Sequence, residues 1–248
     1  MRAHIGGLLL DGMDIGQQST YTILDDKLSG WFEGPAVRAE SIPIPGAHGE
    51  YDLPVFREPR IISIEGMIYT DSDFEQDQAI NALLRVCADG QRERLTVESA
   101  AGSTSAMVRL SDGPEISRIR LGTHARYRMV LRASDPRRYG EERSYTGGAV
   151  QAFHYGNFPA KIQAVVRGPR AAGYEIQGPG GRRVVVAQEL GSLDHHTIQF
   201  WSGRVYRNGT RQLGALTVFQ PWTVPPGPPT SMSCPSGEMT INITDTYI

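Results

Sequence analysis

Lysine is almost absent from this 248-residue chain. Lys27 and Lys161 are the two lysines among its 25 basic residues, and arginine supplies the rest. That skew reads as codon usage of a GC-rich genome rather than as an arginine-built site. Cysteine is as scarce: Cys87 and Cys234 lie far apart, which excludes a disulfide framework and offers no zinc-ligand spacing. No stretch approaches 18 consecutive apolar residues, so no membrane-spanning helix is expected. The apolar run Ile5 to Leu10 is too short, and too poorly flanked by basic residues, for a signal peptide. The expectation is a soluble protein made in the cytoplasm, without membrane contact.

Functional motifs are equally thin. The chain has no G-x-S-x-G elbow, no P-loop and no H-E-x-x-H. A formal net charge of −2 argues against general nucleic-acid binding. His195 and His196 are adjacent, and neighbours in a strand point to opposite faces, so they poorly share one metal. The acids Asp71, Asp73, Glu75 and Asp77 read as solvated residues at a helix N-terminus rather than as a cation site. Glu58, Glu65, Glu98, Glu175 and Glu238 could be paired on paper as glycosidase acids, but such pairs are defined only by separation in space. No catalytic, cofactor-binding or metal-binding residue is assigned, and the expectation is that the protein is not an enzyme and needs no cofactor.

What the chain does have is glycine (28), proline (16) and 40% hydrophobic residues, a folded composition suited to short strands and turns. Period-two alternation dominates. In 125–133, Ala125, Tyr127, Met129, Leu131 and Ala133 share one face, and Arg126, Arg128 and Arg132 the other. Ile62, Ile64 and Ile68 share a face of a strand over 61–70, and Ala106, Val108 and Leu110 oppose Met107 and Arg109. One helix is predicted over 71–90. Ser72 and Glu75 form its capping box, Ile80, Leu83, Leu84 and Cys87 its apolar stripe, and Gly90 its stop.

Alternation breaks around 134–157 and then resumes. Strands with turn signals between them continue to the C-terminus, the pattern of a β-sandwich. Asn208-Gly209 marks a type I′ hairpin. The expected organisation is a first domain over 1–143 carrying a net −5, a linker over 144–156, and a second domain over 157–248.

Two segments invite a binding role. Residues 41–60 hold four prolines and two glycines, too irregular for a regular ladder and long for a connection. Pro43, Pro45, Tyr51, Phe56 and Arg57 are its candidate oligomer-interface residues. Trp201, Tyr206 and Trp222 could form an aromatic platform for a sugar, or else serve as core and edge aromatics of the sandwich.

The order of these parts resembles a known family. The run Pro45-Gly46-Ala47-His48-Gly49-Glu50, a strand containing Glu65-Gly66, a helix near 74–88, and a strand ending in Ser134-Asp135-Pro136 resemble the first domain of siphophage distal tail proteins. Gly156-Asn157-Phe158-Pro159-Ala160, Arg167-Gly168-Pro169, the hairpin around Asn208-Gly209, and Trp222 before Val224-Pro225-Pro226-Gly227 resemble the galectin-like second part. The resemblance implies a mainly β chain: a sandwich or split-barrel ring domain with one helix, followed by a galectin-like β-sandwich. It also implies a homo-hexameric ring at the virion tail tip, made in the host cytoplasm. That ring would join the tail tube protein to the tail-tip hub of the baseplate, near the tape measure and receptor-binding proteins. Genome DNA would pass through its lumen without specific binding. Residues 221–230 carry five prolines, more than the family's turn there. A carbohydrate-binding module is the alternative reading, and a small β-rich hydrolase a further one.

Overall fold

A computed structural model describes residues 1–12 and 19–248, which divide into two compact units over 1–138 and 139–247. The first contains β1 (Arg2–Ile5), β2 (Leu8–Gly12), β3 (Tyr21–Ser29), β4 (Val37–Arg38), β5 (Phe56–Arg57), β6 (Arg60–Tyr69), α1 (Asp73–Arg85), β7 (Glu93–Ser99), β8 (Gly102–Leu110), β9 (Glu115–Arg120) and β10 (His124–Ala133).

Seven of these strands close into a barrel in the order β7-β1-β2-β3-β6-β10-β8, with β8 pairing back to β7. All the pairings are antiparallel except β2 with β3. The expected sandwich or split barrel is therefore a closed barrel. The ring is completed by the short pairing of Leu131 with Leu110 and Arg132 with Arg109, between strands separated in sequence by β9. Closure removes sheet edges that would otherwise be sticky. β9 lies outside the ring against β10.

The alternation in β6 and β10 decides which residues fill the barrel. Ile62, Ile64, Ile68, Tyr127, Met129 and Leu131 are wholly buried. Gly66 interrupts the isoleucine series for a steric reason. A Cβ there would lie 1.8 Å from the Thr22 carbonyl oxygen and 2.6 Å from the Tyr127 ring. The Tyr127 hydroxyl donates to that same carbonyl at 3.0 Å, so the glycine makes the slot the ring occupies.

The helix is shorter than predicted. It ends at Arg85, and Cys87 follows in a left-handed conformation at φ 52°, with Gly90 in a later turn. Ser72 caps it by accepting from the Glu75 amide, while Glu75 accepts from the Asp71 amide rather than that of Ser72. Ala79 and Leu83 face the core, but Ile80 is half-buried and Leu84 exposed, so the stripe is rotated from the predicted one. Cys87 still reaches the core, and burial pushes its thiol pKa up.

The second unit contains β11 (Arg138–Gly147), β12 (Ala149–Ala152), β13 (Ile162–Arg167), β14 (Tyr174–Gln177), β15 (Arg183–Val186), β16 (His195–Gln199), β17 (Arg204–Arg207), β18 (Thr210–Gln212), β19 (Leu216–Phe219), β20 (Thr230–Ser233) and β21 (Met239–Tyr247). One sheet runs β18-β17-β16-β13-β21-β11 and the other β12-β20-β14-β15-β19. Their inward residues, among them Ala164, Ile198 and Ile241 from one and Ile176, Val184 and Met232 from the other, share one apolar cluster.

The expected linker over 144–156 is instead the end of β11 and all of β12. Hydrogen bonds tie β11 to β21: Arg143 grips Asp245 with two bonds of 2.9 and 3.0 Å, and Ser144 and Thr146 meet Asn242 and Thr240. The charged, glycine-containing composition that suggested a junction belongs to a strand whose exposed side chains are polar. At Asn208-Gly209 both residues have positive φ, as a type I′ turn requires.

Candidate interaction surface

Between β3 and β6 the chain leaves the barrel as an arm. Among the described residues β4 and β5 pair only with each other, Val37 opposite Arg57 and Arg38 opposite Phe56, and Pro43 bridges to Glu50 farther out. The segment thus pairs at its root and once near its tip, more than its prolines suggested. Pro43 and Pro45 cannot donate to a ladder, which confines regular pairing to these short stretches. Gly46 and Gly49, both at positive φ, turn the tip, and the Ile44 amide donates to the Gly49 carbonyl at 3.2 Å.

The arm root is held by buried cations. Arg60 is 1% exposed and donates to the carbonyls of Gly30 (2.7 Å), Trp31 (3.0 Å), Glu33 (2.6 Å) and Pro136 (2.9 Å). Burial, and secondarily the Arg138 charge, push its pKa down to about 10, so it remains a cation at neutral pH. Arg138 lies over the rings of Trp31 and Phe32, each centroid 5.8 Å away. Farther along, Arg57 donates to the Pro35 carbonyl, and Arg38 covers Phe56. The path from 30 to 38 is fixed by these hydrogen bonds together with Trp31, whose side chain is wholly buried in the barrel core.

From its root outward the arm's large apolar side chains are mostly open to water. Val37, Ile42, Tyr51, Val55 and Phe56 are each 48–61% exposed. Open apolar side chains are thus concentrated on an ordered hairpin, in a larger group than the scattered exposed residues of an ordinary surface. All five residues expected at an interface, Pro43, Pro45, Tyr51, Phe56 and Arg57, lie on this arm and are exposed. They are distributed along it: Phe56 and Arg57 at the root, Pro43, Pro45 and Tyr51 toward the tip.

The aromatic residues of the second unit separate. Trp222 is 4% exposed and packs edge-on against Phe200 with centroids 4.8 Å apart, in a slot kept open by Gly178. A buried indole presents no face to a sugar. Trp201 is exposed beside Lys161, and Tyr206 is half-buried on β17 opposite Thr197 and Arg211. A groove of about 390 Å³ on the other sheet is lined by Gln151, Gln177, Ser231 and Ser233 and includes none of the three aromatics.

His195 and His196 point apart, as neighbours in a strand must. His196 is fully buried, with Nδ1 3.1 Å from the Tyr174 hydroxyl, and burial holds its pKa below the usual range. Among the described residues no three His, Cys, Asp or Glu side chains gather closely enough to share an ion. A second cavity, about 710 Å³, lies between α1 and the barrel, lined by Tyr21, Tyr69, Asp71, Glu75 and His124. Alternation placed Arg109 and Arg132 on outward faces, but nothing in the pattern showed that barrel closure sets them opposite each other.

Comparison with known proteins agrees with this architecture. No family model and no curated protein sequence matches the chain. Among solved structures, the SPP1 Dit (gp 19.1) protein, presented as a paradigm of the hub adsorption apparatus in phages infecting Gram-positive bacteria, superimposes with a TM-score of 0.79 at 15% identity, covering 100% of this chain and 99% of that one. The phage P2 baseplate in its calcium-activated conformation matches at a TM-score of 0.48 and 9% identity, over 84% of this chain and 87% of that one. The chain has the fold of SPP1 Dit from end to end.

Proposed function

We propose that this chain is a structural protein of a long-tailed phage, the distal tail protein of its adsorption apparatus, and that it performs no chemistry. The observation that carries the reading is the whole-length match to SPP1 Dit, in which both units are present in the same order with almost nothing left over on either side. At 15% identity the shared property is the fold, and the arm supplies the independent support.

In this reading the barrel unit forms a homo-hexameric ring at the distal end of the tail tube. One face of the ring continues the tube and the other receives the hub. Each subunit uses its arm against a different surface of the next, a heterologous contact that closes by rotation. The second unit, read as a galectin-like sandwich, projects outward as a docking platform. The sugar-platform alternative gains nothing from Trp222, which the core occupies.

The test is localisation. Gold-labelled antibody raised against this protein should decorate intact virions at the tail tip and nowhere else. Label along the tail shaft, on the capsid, or on no virion component overturns the reading.

A further inference from the structure

The outer face of the barrel carries an arginine cluster that its own chain does not neutralise. Arg109 on β8 stands directly opposite Arg132 on β10, and like charges in that position destabilise a sheet. Arg94 on β7 faces Met107, which is two residues from Arg109 on the same side of β8, and Arg132 faces Ile61 on β6. All five side chains are exposed, and none of the three arginines has an ion-pair partner among the described residues. Several other arginines of the first unit are matched: Arg126 and Arg128 with Glu65, Arg128 also with Glu115, and Arg118 on β9 with Asp77. The unmatched strip crosses four strands and mixes cations with apolar side chains.

The tip of the arm has the complementary composition. Residues 39–54 contain no lysine or arginine but hold Glu40, Glu50 and Asp52 together with exposed Ile42 and Tyr51. Among the described residues none of the three acids makes an ion pair, and Glu50 accepts from Ser41. An acidic, apolar finger and a basic, apolar strip thus occur on one molecule, each left unsatisfied by it.

We infer that the arm tip of one copy docks on the Arg94–Arg109–Arg132 strip of the next, with Glu40, Glu50 and Asp52 meeting the arginines and Ile42 and Tyr51 covering Met107 and Ile61. The inference rests on the ring reading and names the surface that receives the arm. Finger and strip differ, so the contact is head-to-tail and repeats around a ring. It is charge-driven and weakens with salt.

The experiment is a charge-reversal rescue on the full chain, read as absolute mass by light scattering at matched protein concentration. A strip variant (R109E with R132E) and a tip variant (E40R with E50R and D52R) are made separately and together. All five positions are exposed, and circular dichroism melting confirms that each variant is folded. Each variant alone should fall to the monomer mass, and mixing the two should restore the wild-type oligomer, as should the combined variant. Wild-type mass in both single variants overturns the docking and leaves the ring reading standing. Loss of assembly without rescue on mixing overturns it as well. So does wild-type mass in every variant when the strip variant alone stops retaining a duplex DNA probe, which would make the strip an anion surface for nucleic acid. A wild-type chain that stays monomeric at its highest soluble concentration overturns the ring reading and this contact together.

Discussion

At Val37 the chain passes from a barrel whose inward side chains are closed to water into an arm where Val37, Ile42, Tyr51, Val55 and Phe56 lie open to it. In the barrel, Ile62, Ile64, Tyr127 and Met129 are wholly buried, and each contributes roughly 1.5–3 kcal/mol by leaving water. In the arm, Val37, Tyr51, Val55 and Phe56 contribute nothing comparable to their own chain. The arm keeps its shape through backbone pairing at its root and the Arg60 clamp, which make direction without making a core. The difference separates two groups of apolar residues: one stabilises the fold by burial, the other stays open to water, as the proposed subunit contact requires.

If that separation is correct, substitutions should divide sharply by region. Gly66→Ala should have the largest effect. The added methyl collides with backbone at 1.8 Å and with the Tyr127 ring, so a loss above about 4 kcal/mol is expected in urea unfolding. Stability within 1 kcal/mol of wild type would show that the barrel tolerates a repacked Tyr127 and that the slot is not specified. Arg60→Met comes next at about 3–5 kcal/mol, because the carbonyls of Gly30, Trp31, Glu33 and Pro136 lose a donor that is itself buried. Limited proteolysis should also show new cleavage at 32–38, the path the clamp fixes. Trp222→Ala should cost about 3–5 kcal/mol through the cavity it leaves against Phe200. An unchanged melting temperature would return Trp222 to the surface and revive a sugar-binding role.

A smaller effect is expected on pH. His196 is buried beside Tyr174, and its pKa is lowered first by desolvation and then by the Arg207 charge. The unfolded chain takes up a proton as pH falls through about 6.5, while the folded chain resists until lower. His196 therefore costs no stability above that pH and destabilises the second unit progressively below it. Melting temperatures between pH 7.5 and 5 should fall on this account, and His196→Asn should flatten the slope. An equal slope in the variant assigns the acid sensitivity elsewhere. The smallest stability effect belongs to the arm: Phe56→Ser and Tyr51→Ser should stay within about 0.5 kcal/mol of wild type while weakening self-association.

How much of this was readable in the sequence follows the same division. Alternation in 61–70 and 125–133 named Ile62, Ile64 and Ile68 on β6 and Ala125, Tyr127, Met129, Leu131 and Ala133 on β10 as one buried face each, though not the buried Arg60 and Gly66. Barrel closure was not readable, because it depends on the short β8–β10 pairing between strands joined through β9. The helix boundary was missed because Cys87 continues the apolar stripe from a left-handed residue beyond the last turn. The segment 144–156 looked like a linker because β11 exposes Arg143, Ser144 and Thr146 to partners on β21, which only the fold supplies. The arm was visible as an anomaly of prolines and glycines, whereas its ordered root, set by Arg60, was not. The arginine strip escaped notice for the reason closure did: Arg109 and Arg132 become neighbours only across the closing pair.

The most direct test of the account is the absolute mass of the purified protein, measured by light scattering coupled to size exclusion, with negative-stain imaging of the same fractions. The account predicts a particle of six times the 27.2 kDa chain that images as an annulus with a central channel. A monodisperse 27.2 kDa species at every accessible concentration would contradict it.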